Sequence, residues 1–272
     1  MKKYVNQQGT QFLRKDLGNQ LDGKKSKAKA KSDVYASPVL PFEVVIMAGG
    51  RGERLAPLTD TCPKPLLKVG DRPIVEYSVD RLLETGITDF TFCVNYLGDM
   101  IQDHFGDGSD RRVRFEYIHE PEPLGTIGGV SLKDKFRFED ILVINGDLLT
   151  TINFERFYAF FIEEEADMAI ATIPYRVNLP YGILEQTPDH VVQSIREKPT
   201  YTYYINTGIY FVRRDLLDLL SQGKHCDAVD LIEIAMENDR KVSAFPLMDY
   251  WIDIGQMEDY QKAQEDIQFL DL

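Results

Sequence analysis

Residues 44–65 read VVIMAGGRGERLAPLTDTCPKP, an apolar run that passes directly into a glycine-rich, basic loop. Positions 43–48 are short, mostly apolar and β-branched, the pattern of a strand buried on both faces of a parallel sheet. Gly49, Gly50 and Gly52 follow at once. They let the chain turn tightly and point backbone N–H groups at an anion with no Cβ in the way. Arg51, Arg54 and Lys64 add charge, while Pro57, Pro63 and Pro65 restrict the loop before a ligand arrives, so less entropy is lost on binding. The stretch therefore predicts a phosphate cradle. Neither common phosphate-loop spacing fits it: no Lys followed by Ser or Thr closes the loop, and no acidic residue follows the second strand, which ends in Asn95-Tyr96.

Outward from this loop, strands alternate with helical stretches. Asp71-Arg72-Pro73 opens a helix expected over 74–83 and closed by Gly86; a strand over 88–94, a helix over 96–105 and a strand over 112–118 follow. Residues 120–129, EPEPLGTIGG, form a second glycine-rich lip at the end of a strand and the start of a helix. The strand expected at 141–144 carries Asn145-Gly146-Asp147 at its carboxyl end, where open α/β sheets bind ligands, and Asp147 is a candidate metal ligand there. A helix over 154–165 has Phe154, Phe157, Tyr158, Phe160 and Phe161 at core positions, and a strand over 167–172 follows. From Pro174 the pattern shifts to short β segments, then helices over 215–221 and 228–238, a strand over 241–246 and a last helix over 256–270 that is expected to end the chain. The expected fold is α/β, a Rossmann-like, doubly wound, mixed but mainly parallel sheet with a small β-rich lid.

The chain has 272 residues, 43% of them hydrophobic, enough for one sizeable core. The organisation expected is a flexible basic leader or linker over 1–40 and a single domain over 41–272. The leader carries nine Lys/Arg and three Asp, a net +6, within a total of −13. The acidic body argues against a nucleic-acid surface, though not against a nucleotide whose phosphates meet local cations. Cys62, Cys93 and Cys226 form no Cys-x-x-Cys pair, and a reducing cytoplasm is the simplest setting; neither signal peptide nor membrane helix is indicated. The four histidines show no ligand spacing and receive no chemistry.

The stretch 49–65 closely resembles the sugar-1-phosphate nucleotidylyltransferase family, with its Gly-Gly-x-Gly-x-Arg-Leu, Pro-Leu-Thr and Pro-Lys-Pro segments in order. Glu53 departs from the small or hydroxyl residues common there. Further matches are Pro123-Leu124-Gly125-Thr126, Asp147, Gly182, Glu197-Lys198, Asn206-Thr207-Gly208 and Asp253 within Trp-Ile-Asp-Ile-Gly, so the likeness extends from 43 to about 266. It implies transfer of a nucleotidyl group from a nucleoside triphosphate to a sugar 1-phosphate, with release of pyrophosphate. It assigns the nucleotide to Ala48, Gly49, Gly50, Gly52, Glu120 and Gly125, and Mg²⁺ to Asp147 and Asp253. Gly182, Glu197, Lys198, Asn206 and Thr207 would take the sugar phosphate, and Arg54, Lys64 and Asp147 the reacting phosphates. A carboxylate at Glu120 can accept from guanine N1–H and the 2-amino group, which favours GTP, whereas thymine and uracil suit an amide better. UTP or dTTP, and a non-catalytic nucleotide-sugar sensor, remain as alternatives. A homo-oligomer is compatible with the sequence, which does not specify it.

Overall fold

β1 (Phe42–Ala48) lies at the middle of the sheet, paired in parallel with β2 (Asp89–Val94) on one side and β4 (Asp140–Asn145) on the other. Its side chains alternate between two cores. Val44, Ile46 and Ala48 join one, and Val45 joins the other, which explains a strand apolar on both faces. The computed structural model describes residues 40–272 and, upstream, a strand pair Lys3–Val5 with Gln11–Leu13. The rest of the expected basic leader lies outside the described residues.

Besides 3-10 turns and a two-residue strand pair, Lys68–Val69 with Arg72–Pro73, the other elements are α1 (Ile74–Glu84), α2 (Gly98–Phe105), β3 (Arg114–His119), β5 (Leu148–Thr150), α3 (Phe154–Glu163), β6 (Met168–Asn178), β7 (Ile183–Gln186), β8 (Val192–Arg196), β9 (Thr200–Arg213), α4 (Arg214–Leu217), α5 (Ala228–Glu237), β10 (Val242–Pro246), β11 (Trp251–Asp253) and α6 (Met257–Asp266). The seven-stranded sheet runs β10-β6-β9-β4-β1-β2-β3. β9 alone is antiparallel to its neighbours, so the sheet is mixed and mainly parallel as expected. Strand order reverses about β1, and the carboxyl ends of β1 and β4 open at this switch point, where a ligand crevice belongs.

Three cores hold that crevice in place. On one face of the sheet α1 and α3 supply Val75, Val79, Leu82, Phe154, Phe157 and Phe161. α3 starts at Asn153, whose side chain accepts from Arg156 N–H, and its aromatics are core contacts as expected. Phe157→Ala there should cost about 3–5 kcal/mol. On the other face α5 brings Leu231 and Ala235 against Val45 and Val143. The third core, with Leu55, Leu67, Ile74, Leu149, Ile252 and Ile254, lies beneath the basic loop and ties it to α1, β5 and β11.

Some expectations need correction. The helix expected over 215–221 is the single turn α4. The second glycine lip leads into a short 3-10 turn, Gly128–Leu132, rather than an α-helix: Gly128 and Gly129 favour helix weakly and are packed against Lys224, Cys226 and Glu120. Beyond Pro174 the short β segments are present as β7 and β8, but two long strands, β6 and β9, carry them. β6 continues through Pro174 to Asn178, and past Thr172 it pairs only with β9, an edge position that tolerates proline. The outer halves of β6 and β9, with the hairpin β7–β8, make the expected β-rich extension, an arm largely open to solvent.

Candidate active site

The cleft at the carboxyl ends of β1 and β4 has two connected halves. One, of about 320 Å³, is lined by Gly49, Gly50, Glu120, Gly125, Asn145 and Asp147 among others. The other, of about 430 Å³, is lined by Gly50, Gly52, Arg54, Lys64, Asp147 and Gly255 among others. The sequence-predicted phosphate loop, glycine lip and metal candidate therefore share one crevice. Ala48 ends β1 as a buried strand residue immediately before it.

Gly52 has φ +64°, and a Cβ there would come within 3.0 Å of Thr59 Cγ2, so the turn needs glycine. The Thr59 hydroxyl donates to the Gly52 carbonyl at 2.9 Å and closes the loop on itself. Lys64, between two prolines, is carried on a 3-10 turn and buried. Its ammonium is hydrogen-bonded to Asp147 Oδ2 and lies 3.7 Å from Asp253 Oδ1. Asp147 follows the end of β4 and Asp253 ends β11, which pairs with β5, so two strand ends set the carboxylates on one ammonium. Arg54 is exposed, with its guanidinium over Gly255, where a Cβ would sit 3.4 Å from Nη2.

Asp147 Oδ1 and Asp253 Oδ1 are buried and accept no hydrogen bond. Burial, followed by the negative charge of Asp147, raises the Asp253 carboxyl above its ordinary range, with Lys64 offsetting part of the effect. Two crowded carboxylates, each with a buried oxygen that accepts no hydrogen bond, are the hard donor set that a divalent cation satisfies. These residues fit a divalent metal. The larger groove along β3, about 700 Å³, offers no comparable group: its buried Lys133 ammonium already contacts Glu116 (2.8 Å) and Glu43 (3.3 Å).

At the other end of the cleft Glu120 is buried, and its Oε2 accepts from Leu124 N–H at 3.2 Å. Burial raises its carboxyl above the ordinary value, and the Leu124 N–H opposes this. The carboxylate lies over Gly129, where a Cβ would be 2.2 Å from Oε1, so only glycine leaves it room. Asn95 Nδ2 donates to the Glu120 carbonyl at 2.7 Å and links the lip to the end of β2.

The residues expected on the sugar side separate into two groups. Gly182, Glu197 and Lys198 meet on the arm: a Cβ on Gly182 would be 2.9 Å from Glu197 Oε2, and Lys198 N–H donates to the Tyr181 carbonyl at 3.3 Å. Glu197 and Lys198 are exposed and line neither half of the cleft. Asn206, Thr207 and Gly208 lie on β9 instead, with Gly208 against Asn145 on the cleft floor. Thr207 is buried: its hydroxyl donates to the Ala171 carbonyl at 2.7 Å, and its own carbonyl accepts from Trp251 Nε1 at 3.0 Å. Its side chain is committed inside the sheet rather than open to a ligand.

Sequence reasoning gave no role to Asn145 or His225, both of which line the half of the cleft that holds Glu120 and Gly125. Asn145 was within reach, as the residue at the carboxyl end of a central strand. His225 had no local signal, because it is a hundred residues from the lip it faces.

The nucleotidyl transferase family model matches residues 43–269. Among curated proteins, the chain is 28% identical to a mannose-1-phosphate guanylyltransferase of Mycobacterium tuberculosis over 83% of its length, and 30% identical to a mannose-1-phosphate guanyltransferase of Schizosaccharomyces pombe over 80%. It spans 64% and 62% of those proteins. Among solved structures, HddC from Yersinia pseudotuberculosis complexed with GMP-PN superposes with a TM-score of 0.64 at 27% identity, covering 83% of this chain and 99% of that one. A putative glucose-1-phosphate thymidylyltransferase from Bacillus anthracis, at 21% identity and a TM-score of 0.65 over 85% of this chain and 97% of that one, shares the fold. The family match over most of the chain means that this protein belongs to the nucleotidyl transferase family.

Proposed function

We propose that the chain transfers a guanylyl group from GTP to a sugar 1-phosphate, giving a GDP-sugar and pyrophosphate, for the synthesis of glycan or surface-polysaccharide precursors. The observation that carries this reading is the pair of buried Asp147 and Asp253 oxygens that accept no hydrogen bond, set around the Lys64 ammonium between a glycine loop and a second glycine lip. That arrangement suits two polyanions that must approach each other. The names of the curated relatives and the structure complexed with GMP-PN support the choice of base.

An oxygen of the sugar phosphate attacks the α-phosphorus of GTP, and the bond from that phosphorus to the oxygen bridging to the β-phosphate breaks. The attacking oxygen is already ionised at neutral pH, so no general base is needed; the obstacles are repulsion and charge growing on pyrophosphate. The amides of 49–52 and the Arg54 guanidinium receive the leaving pyrophosphate. Lys64 neutralises the α-phosphoryl group as charge builds. Mg²⁺, held by Asp147 and Asp253, would supply further neutralisation at the α-phosphate. Glu120 accepts from the guanine edge, Gly125 lets the backbone approach the nucleoside, and Lys198 with Glu197 aligns the incoming sugar phosphate.

The test is pyrophosphate release with Mg²⁺ over a grid of GTP, UTP, dTTP, CTP and ATP against hexose, amino-sugar and heptose 1-phosphates. Release that requires both substrates and is strongest with GTP is expected. Silence over the whole grid with nucleotide binding intact would leave a nucleotide-sugar sensor as the better description.

A further inference from the structure

We propose that Asp227, far from the lip in sequence, is a positioning residue that latches the nucleotide-facing lip in its binding shape; this rests on the guanylyltransferase reading. The segment 224–228 runs along the back of the lip 124–128 and is joined to it by five hydrogen bonds. Cys226 N–H donates to Leu124 O at 2.9 Å, Ile127 and Gly128 N–H donate to Cys226 O at 3.1 and 3.0 Å, and Ala228 N–H donates to the Thr126 hydroxyl at 2.8 Å. The fifth is from Thr126 N–H to Asp227 Oδ1 at 2.9 Å, the one contact of the set made by a charged side chain.

The fit is close as well as bonded. A Cβ on Gly125 would lie 2.6 Å from Cys226 O and 2.8 Å from Asp227 Oδ1, and one on Gly128 would lie 2.6 Å from Lys224 O. Gly125 also has φ +83°. A lip in this backbone conformation, with two glycines, has many alternatives when released, and the Asp227 carboxylate selects one of them. The nucleotide then meets a wall that is already ordered, which lowers the entropy lost on binding.

Asp227 is also the N-cap of α5, where its side chain accepts from the N3 amide while Asp230 Oδ2 accepts from Asp227 N–H at 2.7 Å. His225, Asp227 and Asp230 present ligand atoms within 4.8 Å of one another. Since each aspartate already has an oxygen committed to a backbone amide, the trio reads as a cap joined to a lip rather than as a cation site. A role in capping and a role in the lip can be separated, because Asp230 serves only the first.

The experiment compares Asp227→Ala, Asp227→Asn and Asp230→Ala by steady-state kinetics and by hydrogen exchange. Asp227→Ala should raise the KM for GTP about tenfold, as it would if the competent lip fell to about a tenth of the population, with kcat and the KM for sugar 1-phosphate nearly unchanged. Asp227→Asn keeps the acceptor oxygen and should stay near wild type. Asp230→Ala should lower the melting temperature as Asp227→Ala does but leave the KM for GTP alone. An unaltered KM in Asp227→Ala, or an equal rise in Asp230→Ala, overturns the latch. A wild-type chain with no guanylyl transfer would overturn the proposed function alone. The latch is then decided by exchange at the amides of Thr126, Ile127 and Gly128, which must quicken in Asp227→Ala and not in Asp230→Ala; unchanged exchange refutes it.

Discussion

The cleft between the glycine loop and the lip and the β-rich arm are built in opposite ways. In the cleft, loop and lip rest on cores, glycines pass within contact distance of neighbouring side chains, and Lys64 and Glu120 are buried. On the arm, β6 and β9 pair only with each other beyond the sheet, and Tyr175, Tyr181, Ile195, Tyr203 and Tyr204 are exposed. The salt bridge there, Arg196 with Glu185 at 2.5 Å, joins two exposed side chains and is worth about 0–1 kcal/mol. On the proposed function, the difference tracks what each end would recognise. Phosphates in transfer need donors fixed in advance in a dry site, because charge that develops there must meet dipoles already aligned. Sugar hydroxyls can be matched by exposed side chains on a ribbon, at little cost to the fold if those side chains change.

That contrast yields expected effects of decreasing size. Lys64→Ala or Asp147→Ala should lower kcat about 10²- to 10³-fold, as loss of a transition-state electrostatic contact does, while circular dichroism shows the fold intact. Near-normal turnover in either variant would break the mechanism and the contrast with it.

Glu120→Gln should reduce kcat/KM for GTP roughly ten- to a hundredfold relative to UTP and dTTP, the scale of a lost charge-assisted hydrogen bond in a buried site. An unchanged order of nucleotides removes Glu120 from base recognition. The same carboxyl sets a pH dependence. Because burial holds it above the ordinary carboxylate range, acidification through that raised value converts it to an acid that no longer accepts both guanine donors. The KM for GTP should therefore rise as pH falls through that raised value in wild type and stay flat in the Gln variant. Its effect on folding has the opposite sign: the stability it contributes is present below the ordinary carboxylate pKa and lost as pH rises through the raised one. Urea melts of the two proteins across that range should diverge accordingly.

Lys198→Ala should raise the KM for sugar 1-phosphate about tenfold, the cost of one exposed phosphate contact, without altering the KM for GTP or the melting temperature. A change in the GTP value instead would mean that arm and cleft are not separable. The smallest effect belongs to Ile195→Ser, on a residue 67% exposed, where stability should move by no more than about 0.5 kcal/mol, against the several expected for Phe157→Ala. A large loss of stability at Ile195 would show that the arm is packed in solution.

Features encoded within a few consecutive residues were legible in the chain itself. The two-faced strand, the glycine turn after it, the second lip, the Asn-Gly-Asp at a strand end and the aromatic face of α3 are each written in local spacing. So is the alternation that gives a mainly parallel sheet, and the loop's residues were enough to point to the family. Other features depend on segments that meet only after folding. The Lys64 ammonium finds Asp147 across 83 positions. The burial that perturbs Glu120 comes from a glycine that lets the chain close over it, the Thr207 hydroxyl is consumed by a neighbouring strand, and the lip is held from behind by an aspartate 101 positions away. Composition and spacing determine which groups are available and how the chain turns locally; desolvation, pairing and close approach exist only between elements already packed, so the tertiary structure decided which of those groups share a site.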